Sequence, residues 1–91
     1  LERKDFYVGE LSWVSGNTPS APIHSRVKLR YRHPGVLCRV EPLPNGKAKV
    51  VFLEEWAPVS PGQAAVFYHT EPEADACVEV LGGGRILKDK P

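Results

Sequence analysis

The chain is cut into short pieces. Nine prolines and eight glycines are spread along 91 residues, and no segment between them carries apolar residues at helical spacing. What recurs instead is period two, the spacing of a strand with one face buried. "RVKLRYR", Arg26–Arg32, is the clearest case: Val27, Leu29 and Tyr31 fall on one side, and Arg26, Lys28, Arg30 and Arg32 on the other. Short alternating runs with turn residues between them predict an all-β sandwich or barrel. A chain this small has many potential edges, and closure into a barrel removes them.

Strands are expected at Phe6–Val14, His24–Arg32, Val36–Leu43, Lys47–Leu53, Ala64–His69, Cys77–Leu81 and Arg85–Lys88. The fold class expected from the pattern is therefore all-β, a small closed or nearly closed barrel. It occupies residues 1–91 as one domain, with a core over about 6–88. Asn45-Gly46 lies between two alternating runs and predicts a hairpin that brings Arg39, Lys47 and Lys49 into one sheet region. Pro61-Gly62 predicts a turn with the glycine at positive φ. "LGGGRI", Leu81–Ile86, lacks the Lys-Ser/Thr and the helix of a phosphate-binding loop. It reads as a tight turn or as crowded backbone at barrel closure.

Charge narrows the function. Net charge is only +1, but its distribution is uneven. Arg26, Lys28, Arg30, Arg32, Arg39, Lys47 and Lys49 face a single acid, Glu41, between positions 26 and 49. Residues 50–81 hold Glu54, Glu55, Glu71, Glu73, Asp75 and Glu79 with no Lys or Arg. A row of like charges on one strand face repels itself, and arginine's planar fork suits phosphate oxygens. Alternate strand residues repeat at about 6.6–6.8 Å, comparable to successive phosphates of a nucleic-acid strand. A solvated basic face is the alternative reading, and periodicity alone puts Tyr31 in the core.

No catalytic constellation is visible. His24, His33 and His69 match no zinc spacing with the cysteines, so no metal is expected. Cys38 and Cys77 sit in apolar, strand-like surroundings and read as small buried hydrophobes. Two cysteines without C-x-x-C spacing fit a reducing compartment. The charged start "LERKDFYVGE" lacks a signal-peptide block, and no apolar run approaches the roughly 18 residues of a membrane span. A cytoplasmic location, no membrane association and a monomer are the expectations.

Taken together, "VSG" (Val14–Gly16), "KLRYRHPG" (Lys28–Gly35), "VVF" (Val50–Phe52), "VSPGQAAVFY" (Val59–Tyr68) and "LGGGRI" resemble, in that order, the C-terminal domain of the bacterial tRNA-specific 2-thiouridylases. The resemblance runs from about Phe6 to Ile86. It implies an antiparallel β-barrel of six to seven strands similar to the second domain of translation elongation factors, one that helps hold tRNA while the wobble uridine is 2-thiolated. It also implies that ATP and a persulfide sulfur donor serve upstream catalytic domains, so the fragment alone is no enzyme and holds no cofactor. The family's tRNA-contacting Arg-Tyr pair falls on Arg30 and Tyr31, and its "PGQ" glutamine on Gln63. Arg26, Lys28 and Arg32 are further candidates from the charged face. The stretch His69–Val80 is longer than usual in this family, and its acids suit a loop pointing away from RNA. The alternative function is a protein-interaction barrel docking on the catalytic domain or on a sulfur-delivery protein. Its suspected surfaces are the acidic stretch Glu54–Glu79 and Trp13 and Trp56, for which core packing is the competing assignment.

Overall fold

The computed structural model describes residues 2–29, 35–54, 57–70 and 79–91. Every regular element among them is a strand: β1 (Glu2–Arg3), β2 (Asp5–Trp13), β3 (Ile23–Lys28), β4 (Val36–Leu43), β5 (Lys47–Phe52), β6 (Ala57–Pro58), β7 (Ala64–Tyr68) and β8 (Val80–Ile86). Six of them close a barrel in the order β2-β5-β4-β3-β7-β8, each neighbour antiparallel and β8 pairing back onto β2. The predicted all-β barrel is the observed one. β1 and β6 form a separate two-stranded ribbon that the sequence pattern did not announce.

Period two becomes the inside and outside of the barrel. Along β3, Ser25 and Val27 point inward while His24, Arg26 and Lys28 point outward, and Leu29 beyond the strand is buried. β4 and β5 alternate in the same way, burying Val36, Cys38, Val40, Ala48, Val50 and Phe52. Phe6 packs against Phe52 with ring centroids 5.4 Å apart. The Pro44–Gly46 tip joins β4 to β5 as its Asn-Gly signal requires, with φ of 65° at Asn45 and 70° at Gly46.

β2 breaks its own alternation. Its register with β8 slips by one residue between Gly9 and Ser12, and Glu10 takes a φ of 50° there. The extra residue reverses the facing of the strand beyond it. Phe6 and Val8 point inward before the bulge, whereas Leu11 and Trp13 pack on the core after it. Trp13 stacks on Phe67 at 5.9 Å, so core packing is its assignment. Trp56 lies outside the described residues.

The glycine stretch requires a correction. No turn separates Cys77–Leu81 from Arg85–Lys88; β8 is one strand that runs through Gly82, Gly83 and Gly84. The crowding half of that reading is what the structure shows. A Cβ at Gly82 would lie 2.5 Å from the Ser12 carbonyl oxygen, and one at Gly84 would lie 2.5 Å from that of Gly9. The closing strand is bare because β2 lies against it.

Candidate nucleic-acid interface

β3 presents its cations outward, but they are not equivalent. Arg26 lies against the barrel. Its Nε donates to the Thr70 carbonyl at 3.3 Å and its Nη1 to the Gly35 carbonyl at 3.3 Å. The same Nη1 is 3.4 Å from Glu54 Oε1. Gly35 makes this possible, since a Cβ there would sit 3.1 Å from the Cβ of Arg26. The arginine thus ties β3 to the chain entering β4 and to the chain leaving β7. Lys28, two residues on, is half-buried on the outer face opposite Val66 of β7. Arg30, Tyr31 and Arg32 lie outside the described residues.

Gln63 is held by its backbone and exposed by its side chain. Ser60–Gln63 forms a β-turn in which Gln63 N–H donates to the Ser60 carbonyl at 3.2 Å, with Pro61 second and Gly62 third at φ 89°. Those are the residues a type II turn selects. The turn is joined to the end of β8 by a reciprocal pair, Gly62 N–H to Ile86 O at 2.8 Å and Ile86 N–H to Gln63 O at 2.9 Å. Because Lys28 pairs with Val66, β3 ends at the same barrel end where Gln63 leads into β7. The end of β3, with Lys28 on its outer face, and the Gln63 turn thereby share one barrel end, while Arg26 lies farther along, opposite Tyr68.

Arg85 was missed by sequence reasoning. It stands on the outer face of β8, and its Nη1 donates to the Gly62 carbonyl at 2.7 Å. Its Nε is 3.6 Å from Glu10 Oε2. The signal is in "LGGGRI", where the arginine stands alone beside the glycines and outside the cationic row of 26–32.

A second group of cations lies on the outer faces of β4 and β5. The register sets Arg39 opposite Val51, Glu41 opposite Lys49 and Leu43 opposite Lys47. Arg39, Lys47 and Lys49 do share one sheet region, as the hairpin implied. Acids partly neutralise it, since Arg39 Nε is 2.8 Å from Glu41 Oε2 and Lys49 Nζ is 3.9 Å from Asp5 Oδ2.

Cys38 faces the barrel interior, a free thiol 3.4 Å from Ser25 Oγ. Burial pushes its pKa from 9.0 up to about 11, against a smaller opposing effect of the Ser25 hydrogen bond. A thiol that stays protonated and out of contact with solvent is a poor nucleophile. Cys77 and His33 lie outside the described residues. Among the described residues no three His, Cys, Asp or Glu side chains converge as metal ligands, and no helix is long and apolar enough to cross a membrane.

At the other barrel end, Trp13, Val14, Pro19, Ile23, Val80 and Leu81 line a shallow groove of about 310 Å³, with Ser15, Asn17 and Glu79 on its walls. Val14 on its rim is 73% exposed.

The family model of the aminomethyltransferase beta-barrel domain matches residues 3–86. The chain is 49% identical over 86 residues to the tRNA-specific 2-thiouridylase MnmA of Idiomarina loihiensis, covering 94% of this chain and 21% of that protein. It is 40% identical over 86 residues to the protein of that name from Chlorobium phaeobacteroides, covering 94% and 22%. With the one from Geobacillus thermodenitrificans it shares 44% identity over 77 residues, covering 85% and 19%. The chain therefore spans about a fifth of the length of these relatives.

Proposed function

Because the chain belongs to the aminomethyltransferase beta-barrel domain family, we propose that it is the tRNA-binding barrel of a tRNA 2-thiouridylase. In this reading a longer cytoplasmic protein thiolates the wobble uridine with ATP and a persulfide donor, and the barrel holds the substrate. The observation that carries the reading is that the Lys28 end of β3 and the hydrogen-bonded Gln63 turn lie at one barrel end. Arg30, Tyr31 and Gln63 make the contacts, with Lys28 and Arg32 adding charge. Arg26, engaged with Gly35, Thr70 and Glu54, positions the strand.

The chemistry asked of this surface is modest. Phosphate contacts fix orientation and carry little sequence information, and folded RNA is held mainly through shape and backbone. Glutamine adds an amide that both donates and accepts. Choice of tRNA and the reaction itself belong, on this reading, to the rest of the longer protein.

The test is tRNA binding by the chain across a salt series, wild type beside Arg30→Ala. Loss of one charge-assisted phosphate contact weakens binding by about 1.5–3 kcal/mol and flattens the salt slope by about one unit. A wild-type barrel that retains no tRNA at low salt overturns the reading.

A second reading has the barrel dock on the catalytic part of the longer protein. The groove beside Val14 favours it, being mostly apolar and at the end away from Gln63.

A further inference from the structure

Arg85 has no structural explanation in packing. The neighbouring glycines do: backbone of β2 and β7 crowds each of them, with the Ala65 carbonyl 2.8 Å from a Cβ placed at Gly83. The arginine after them is 61% exposed. Its cross-strand partners are small, Gly9 on β2 and Ala64 on β7; Gly83 precedes it on that face, and Leu87 follows it and lies over Gly9, with Cδ2 3.0 Å from where a Cβ there would sit. Ala64 places Arg85 directly beside Gln63. Nη1 is oriented by the Gly62 carbonyl at 2.7 Å. Nε is 3.6 Å from Glu10 Oε2, a carboxylate 78% exposed on the β2 bulge.

We propose that Arg85 is a further phosphodiester-binding residue of this interface, with the Glu10 carboxylate occupying its fork until a phosphate displaces it. The inference rests on the tRNA-binding reading above and extends it to a cation on another strand. Guanidinium offers five N–H donors in one plane, and the Gly62 carbonyl uses one of them. An exposed ion pair this long contributes little in water. A phosphate brings two oxygens to the same fork and makes the shorter, paired hydrogen bonds that arginine favours. On the β7 side Ala64 and Gly83 present no long side chain to an approaching sugar-phosphate chain, whereas Leu87 covers Gly9 on the β2 side. Because one bond links Arg85 to Gly62, binding at the fork and the placement of Gln63 are coupled.

The experiment is filter binding of unfractionated tRNA across a salt series, with wild type, Arg85→Gln, Arg85→Lys, Glu10→Gln and Gln63→Ala, folding checked by circular dichroism. Arg85→Gln is expected to weaken binding about tenfold and to reduce the slope of log affinity against log salt by about one unit. Arg85→Lys keeps the charge and so keeps the slope. Glu10→Gln removes the competing anion and tightens binding a few-fold. This variant is exposed and leaves the fold untouched, so its gain tests the proposal even if Arg85→Gln unfolds. The proposal is overturned if Arg85→Gln binds as wild type does, or if Gln and Lys lose equally with no change in slope. Equal losses would make Arg85 a tie for the turn and nothing more. Failure of the underlying reading looks different: wild type and Gln63→Ala then both fail to bind, and the inference falls with it.

Discussion

A methyl group at Gly82 or Gly84 has nowhere to go. Each would lie 2.5 Å from a backbone carbonyl of β2, and a carbonyl in a ladder cannot rotate away as a side chain can. Gly84→Ala is therefore expected to lower the unfolding free energy by about 3 kcal/mol or more. Gly16 provides the contrast, with a φ of 84° and no atom within 4 Å of a Cβ. Its alanine variant meets only backbone strain of about 1–2 kcal/mol. Chemical denaturation of the two variants decides the matter, and equal losses would refute the crowding account. Cys38 offers a second measurement at this scale. Its folded pKa of about 11 lies above the ordinary 9.0. The unfolded chain thus loses the thiol proton first as pH rises. Stability from this group is complete below pH 9 and is lost between pH 9 and 11, by roughly 2–3 kcal/mol. In a Cys77→Ser background, Cys38→Ala should lack that component of the alkaline loss in a pH series of denaturation curves. An alkaline loss of the same size in both would refute the assignment.

At the scale of elements, alternation was readable where one strand face is wholly buried. β4 and β5 fall at the boundaries expected or within one residue of them, because Val36, Cys38 and Val40 on one strand and Ala48, Val50 and Phe52 on the other leave one register. β8 was not readable in this way, since three consecutive glycines have no side chains to show a period. Nor was the β2 bulge, whose cause is the register of a partner more than seventy residues away. Arg26 shows the same limit at a candidate site. On the sequence it belongs to the cationic row, yet its acceptors are 9, 28 and 44 residues distant. A positioning role and a contact role predict different salt behaviour. Arg26→Ala is expected to lose about 1–2 kcal/mol of stability from the two carbonyl bonds. It should weaken tRNA binding with the salt slope intact, where Arg30→Ala flattens it. A slope reduced by a full unit in Arg26→Ala would return Arg26 to the contact surface.

The whole molecule separates two surfaces. Closure in the order β2-β5-β4-β3-β7-β8 sends the end of β3, the Gln63 turn and the last residues of β8 to one mouth of the barrel. The groove under Val14 opens at the other mouth, in a body whose longest extent is 38 Å. A substitution at one mouth should then leave the other unaffected. Val14 is exposed, so Val14→Asp costs the barrel little stability and adds a second carboxylate, beside Glu79, to a mostly apolar groove. The variant is expected to bind tRNA with wild-type affinity and slope, while Gln63→Ala, at the opposite mouth, weakens binding. In the longer protein of the second reading, the same Val14→Asp should split a single melting transition into two, because a buried charge at the docking face breaks the coupling between barrel and catalytic part. If Val14→Asp instead weakens tRNA binding as much as Gln63→Ala does, RNA spans both mouths. The division of labour between them would then be wrong.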